Sequence, residues 1–238
     1  MPGVFELLGR SVRLYRAHVS LLAGFSAWAL LPAILGMAAT LIPDQTAAAV
    51  ADLVSFLLEG TALVWASVAI MRATRALNAG TPVPDTTLPY FGTIVGPLLT
   101  VAVLQTAASL GGLILFIIPG IIAMVWFAFG QQAVVLDGAR PLDALSQSRA
   151  LVTGRFFRSA WWLIGGPLIV LTLYTVALSA LFALVAPAAG PASLQLDGTG
   201  PFPLWAEAID SAATILLIFP LTIVYSTLLY DEMKKKRA

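Results

Sequence analysis

Charge is what this sequence lacks most. Lys, Arg, Asp and Glu make up 11% of its residues, against about 25% in a soluble globular protein. With 13 basic and 12 acidic side chains in 238 residues, a water-soluble fold could not cover its surface. Lipid is the solvent this composition requires. Cysteine is absent, which excludes disulfides, iron–sulfur clusters, thiolate zinc sites and cysteine nucleophiles. The single histidine, His18, excludes a three-histidine zinc site and an HExxH motif, and reads as a polar residue at headgroup depth. There is no GxSxG elbow, no phosphate-binding GxxxxGK[ST] loop and no carboxylate cluster on a loop. No catalysis, no metal, no cofactor and no nucleic-acid partner are therefore expected.

What the chain has in abundance is apolar surface: 59% hydrophobic residues and a mean hydropathy of +0.93. Six apolar stretches fall at about residues 19–42, 47–71, 93–118, 121–136, 162–185 and 208–230. About 20 helical residues at 1.5 Å each cross the ~30 Å of hydrocarbon. The fourth is short unless Gln131 and Gln132 sit at the interface. The first is too long for a signal-peptide core and is expected to stay as a span, kinked by Pro32. The expected architecture is all-α: one membrane domain over residues 1–238, with six transmembrane helices in three hairpins. The proline-rich segment before the third span reads as a loop with a short surface helix over residues 85–91. The Pro- and Gly-rich residues 187–203 read as the longest loop, and the charged residues after Tyr230 as a wet tail.

Two amphipathic segments accompany the spans. Over residues 1–18, Phe5, Leu8, Val12 and Tyr15 recur at helical spacing, with Arg10, Arg13 and Arg16 opposite. Over residues 141–153, Leu142, Leu145, Leu151 and Val152 alternate with polar residues, with Pro141 suited to the first helical position and Gly154 to the closing one. Both read as interfacial helices. They also echo each other: Phe5-Glu6-x-Leu8-x-x-Ser11-x-x-Leu14 matches Leu142-Asp143-x-Leu145-x-x-Ser148-x-x-Leu151. Three units of surface helix plus hairpin are the repeat this suggests. Between the third and fourth spans, Pro119 and Gly120 give a turn signal with no charge nearby, so the hairpin is expected to reverse there.

With six spans, every Lys and Arg falls on one side. The N-terminal helix holds three, the loop after the second span two, the loop after the fourth span four, and the tail four. The opposite side holds only acids, among them Asp44, Asp52, Asp197 and Glu207. The positive-inside rule then puts both termini in the cytoplasm, with the cytoplasmic membrane of a prokaryote as the expected location. Arg10, Arg13, Arg16, Arg155 and Arg158 are the candidate contacts for anionic lipid, at about 1 kcal/mol for each juxtamembrane cation. The plainer reading is that these cations only set topology.

Glu59 lies near the middle of the second span, where an ionised acid costs about 2.5–3.5 kcal/mol. Gln105 sits at a similar depth in the third span, and Asp52 is two turns from Glu59 on the same helix face. These three form a candidate intramembrane polar site, either part of a proton or substrate path or simple interhelical glue worth ~0.6–2 kcal/mol. Glue is favoured, because a path needs several such groups. Gly165-Gly166-Pro167 has two readings, close helix approach or a broken helix at a transport site. The first needs no ligand. Asp137 and Asp143 read as cap and solvated residues.

Four blocks then resemble a known family. They are Ile118-Pro119-Gly120-Ile121, Trp126-Phe127-x-Phe129, Val134-Val135-Leu136-Asp137-Gly138, and Ala144-Leu145-x-x-Ser148-x-x-Leu151-Val152-x-Gly154. They look like the signature of the membrane domain of glycerophosphoryl diester phosphodiesterase and of related polytopic bacterial and archaeal membrane proteins of unknown function. Residues 5–32 and Leu228-Leu229-Tyr230-Asp231 extend the likeness. Asp137 departs from the glutamate common at that place. What the resemblance implies is a six-helix membrane domain, not an activity. In fused members hydrolysis belongs to a separate soluble barrel with His and acidic metal ligands, which this chain is expected to lack. The expected role is a non-catalytic integral membrane protein that organises lipid or an unidentified membrane partner. The alternative is a small transporter using Glu59 and Gln105.

Overall fold

The computed structural model describes residues 3–84, 88–189 and 204–236. Among them there are helices and connecting turns and no strand. Six helical segments are long and apolar enough to cross a membrane: Val19–Ala39, Gln45–Ala79, Tyr90–Leu115, Ile117–Asp137, Phe156–Val185 and Trp205–Lys235. This is an all-α polytopic membrane protein. Its large apolar side chains point outward along the spans, as Val103, Ile114, Leu173 and Leu184 do. Exposure on that scale is stable only against lipid.

The helices are α1 (Val4–Ala17), α2 (Val19–Ala27), α3 (Leu30–Ala39), α4 (Gln45–Ala79), α5 (Leu88–Leu115), α6 (Ile117–Phe127), α7 (Gly130–Asp137), α8 (Pro141–Val152), α9 (Phe156–Ala189), α10 (Leu204–Ala213) and α11 (Phe219–Lys235), with a π-helical turn at Thr214–Ile218. The first span is broken between α2 and α3. Pro32 is the third residue of α3, and its ring excludes the carbonyl four residues back from helical bonding. The break falls accordingly at Trp28–Ala29. Helix α4 has 35 residues, about 52 Å at 1.5 Å per residue, so it outruns the hydrocarbon. It therefore carries Arg72 and Arg75 on the same rod as the span. Residues 85–87, where the short surface helix was expected to start, lie outside the described residues, and from Leu88 the chain is already in α5. Residues 190–203 of the expected long loop also lie outside them, while residues 187–189 still belong to α9.

The chain divides into two compact units. One comprises residues 1–17, 68–167 and 223–238, the other residues 18–67 and 168–222. In the first unit α5 and α6 form an antiparallel hairpin. Its reversal is at Phe116, which is extended (φ −163°, ψ 150°), and not at Pro119-Gly120 as the turn signal suggested. Pro119 is instead the third residue of α6, where a helix has no use for its missing N–H. Gly120 faces Gly112 so closely that a Cβ on Gly112 would lie 2.8 Å from the Gly120 Cα. The Pro-Gly pair thus starts the return helix and lets it approach, while the preceding residue turns the chain.

In the second unit, Phe25 stands edge-on to Trp65 with centroids 5.9 Å apart, and Phe182 edge-on to Trp205 at 5.7 Å. Helix α2 packs on the π-helical turn and α10 on α3. The Tyr174 hydroxyl bonds the Asp210 carboxylate.

Candidate functional site: a charged hub and a basic surface

Three rods of the first unit end in charge. Arg75 lies near the end of α4, Asp137 is the last residue of α7, and Asp231 lies four residues before the end of α11. Helix α7 stops there because Gly138 takes the left-handed conformation (φ 66°) and donates its N–H back to Val134, a closure that a side chain would strain. The Arg75 guanidinium then joins all three rods. Its Nη2 is 2.6 Å from the Asp231 Oδ1. Its Nη1 donates to the Asp137 Oδ1 at 3.0 Å and to the Leu136 carbonyl at 2.9 Å. The Tyr230 hydroxyl and the Lys234 Nζ both donate to the other oxygen of Asp137. Both carboxylates are only 14% exposed. The planar fork of arginine suits two acids at once, which a lysine point charge does not.

Two sequence expectations change here. Asp137 is not a solvated cap residue but an acceptor for Arg75, Tyr230 and Lys234. The stretch after Tyr230 is only partly a wet tail: α11 continues to Lys235 and presents Asp231 and Glu232 inward, while Lys234, Lys235 and Lys236 are exposed and Arg237 lies outside the described residues. Arg10, expected to contact lipid, is spoken for as well: its Nη1 pairs with the Glu232 Oε1 at 3.0 Å and its Nη2 reaches Asn78. The other lipid candidates stay open. Among the described residues, Arg13, Arg16, Arg155 and Arg158 are exposed and carry no ion pair, as is true of Arg140. Tyr15, buried beside them in α1, has its phenol pushed above the ordinary range by desolvation and stays neutral.

The second amphipathic helix is more than a surface float. Its face Ala144, Ser148 and Val152 is fully buried against α5, α6 and α7. The fourth span is broken between α6 and α7, and Ser148 bridges the break: its hydroxyl accepts the Phe129 N–H at 3.0 Å and donates to the Trp126 carbonyl at 2.7 Å. In α1 the matching positions Leu7, Ser11 and Tyr15 are buried too, while Phe5 and Leu142 at the repeat's first position are both exposed. The sequence echo therefore extends to which side is covered. The serine's task differs: the Ser11 hydroxyl bonds only the Leu7 carbonyl of its own helix.

The intramembrane candidates are not brought together by any hydrogen bond. Glu59 is half-buried and Asp52 exposed, both in the second unit, and neither has a hydrogen bond or ion pair among the described residues. Gln105 belongs to the first unit, where it lines an apolar groove of about 660 Å³ with Thr106 and Ser109, and its Oε1 has no partner. Gln132 is buried, with its Nε2 3.3 Å from the Ser226 Oγ. Gly165-Gly166-Pro167 does not break α9, which is continuous. Gly166 is instead a seat for Tyr225, whose hydroxyl donates to the Trp162 carbonyl at 2.6 Å. No metal-holding group of His, Asp and Glu occurs among the described residues.

No protein-family model, curated protein or solved structure matches this chain. Chemically, the first unit holds two kinds of cation. Arg75, Lys234 and Arg10 are neutralised by acids within the fold, and a set of exposed arginines has no ion pair among the described residues.

Proposed function

We propose that the protein is a non-catalytic integral membrane protein that organises lipid, or holds a membrane partner, through the basic side of its helices. The observation that carries this is the sorting of charge. The acids Asp137, Asp231 and Glu232 are taken up in the fold, so Arg13, Arg16, Arg155 and Arg158 have no internal counterion and match anionic headgroups. The cytoplasmic membrane, with both termini inside, is the proposed location. The likeness to the phosphodiesterase membrane domain supports the same reading, as a six-helix membrane module.

The test is the lipid shell. The full chain, extracted with its surrounding lipid from membranes containing phosphatidylglycerol and phosphatidylcholine, should be enriched in phosphatidylglycerol. Replacing Arg13 and Arg16 together by Gln should lower the enrichment. A shell with the bulk lipid ratio would overturn the proposal. The unpartnered Gln105 oxygen favours one rival, a small transporter using Glu59 and Gln105. That rival requires Glu59→Gln to change proton or solute flux in proteoliposomes.

A further inference from the structure

Two open cavities of the first unit meet at Arg149. The first is an apolar groove of about 510 Å³ lined by Ile118, Ile121, Ile122, Trp126, Phe156 and Phe157, with Arg149 and Thr153 at its edge. The second, of about 490 Å³, is lined by Ser146, Arg149, Thr153 and Arg155. The Arg149 guanidinium lies 4.4 Å from the centre of the Trp126 ring, so the ring holds it where the two cavities join. From Ile118 to Trp126 the groove follows α6 for about 12 Å. One wall is oil, and the adjoining cleft has two arginines, Arg149 and Arg155, neither in an ion pair among the described residues.

We infer that this junction is a discrete site for one anionic phospholipid. Its phosphate lies between Arg149 and Arg155, and one acyl chain lies along α6 over Ile122 and Ile118. The inference rests on the lipid-organising reading but goes further, since diffuse attraction to a charged leaflet needs no groove. The charge pattern decides the occupant. A partner helix would fill the apolar groove yet leave two cations facing it, and a free anion would use the arginines and leave the groove empty. A two-part amphiphile satisfies both. Ser148, which fixes α8 to the break in the fourth span, holds Arg149 at this place.

Native mass spectrometry of the full chain, released from mild detergent with phosphatidylglycerol or phosphatidylcholine of the same chains, tests the site. One phosphatidylglycerol should remain bound at stoichiometry, in clear preference to phosphatidylcholine. Arg149→Gln should weaken that adduct about fivefold, Arg149→Lys less, and Ile122→Trp should remove it by filling the groove. Wild-type chain that keeps no single adduct, or that holds both lipids equally, overturns the site without any variant. An adduct indifferent to Arg149→Gln and Ile122→Trp does so too. If the lipid shell is still enriched in phosphatidylglycerol in those cases, the wider reading survives and only the discrete site fails.

Discussion

At the scale of single residues, two serines separate a local habit from a tertiary bond. Ser11 and Ser148 occupy matching places in the two amphipathic helices, and both are fully buried. Ser11 returns its hydroxyl to a carbonyl one turn back, which the helix already satisfies, so Ser11→Ala should change stability by no more than about 0.5 kcal/mol. Ser148→Ala strands a buried N–H at Phe129 and takes a donor from the part-buried carbonyl of Trp126, and should cost about 1–3 kcal/mol. Thermal unfolding of the two variants in one detergent compares them directly. Equal melting points would mean that the broken span does not depend on α8. The sequence marked both serines by the repeat but could not tell their duties apart. That difference depends on where the fourth span breaks, and nothing in Trp126-Phe127-Ala128-Phe129 announces a break.

At the scale of helices, the spans were legible because an apolar run long enough to cross a bilayer seldom forms any other element. Their ends were not. Apolar periodicity stops where charge begins, but a helix continues if its next charges find partners. This happens at Arg75 in α4 and at Asp231 and Lys234 in α11. A signal was available. With six spans, the second, fourth and sixth run the same way and finish on one side, so Arg75, Asp137 and Asp231 were bound to finish together. Helix crossings depend on single atoms instead. A Cβ on Gly166 would run into the Tyr225 ring, whereas one on Gly165 would meet nothing closer than 3.8 Å. Gly166→Ala should therefore force α9 from α11 and cost about 1–3 kcal/mol, with Gly165→Ala neutral. Equal melting curves for the two alanine variants would show that the Tyr225 ring can step aside.

At the scale of the whole molecule, the cations follow one rule. All 13 Lys and Arg residues fall in the ranges of the first unit, and residues 18–67 and 168–222 contain none. Half of the 12 acids, including Asp44, Asp52, Glu59 and Glu207, lie in the second. Where six spans put these cations at the same ends of the helices, retention of Lys and Arg in the cytoplasm during translocation makes a definite forecast of orientation. The natural absence of cysteine supplies a clean background for checking it. Gln147, exposed on α8, and Gln45, exposed at the start of α4, report the two faces. In intact cells a membrane-impermeant maleimide should modify Gln45→Cys at once and Gln147→Cys only after permeabilisation. The reverse pattern would put the arginines outside, and the anionic lipid of the inner leaflet would then be out of their reach. Labelling of both positions from one side would remove the parity of six spans, and with it the reason for Arg75, Asp137 and Asp231 to share an end.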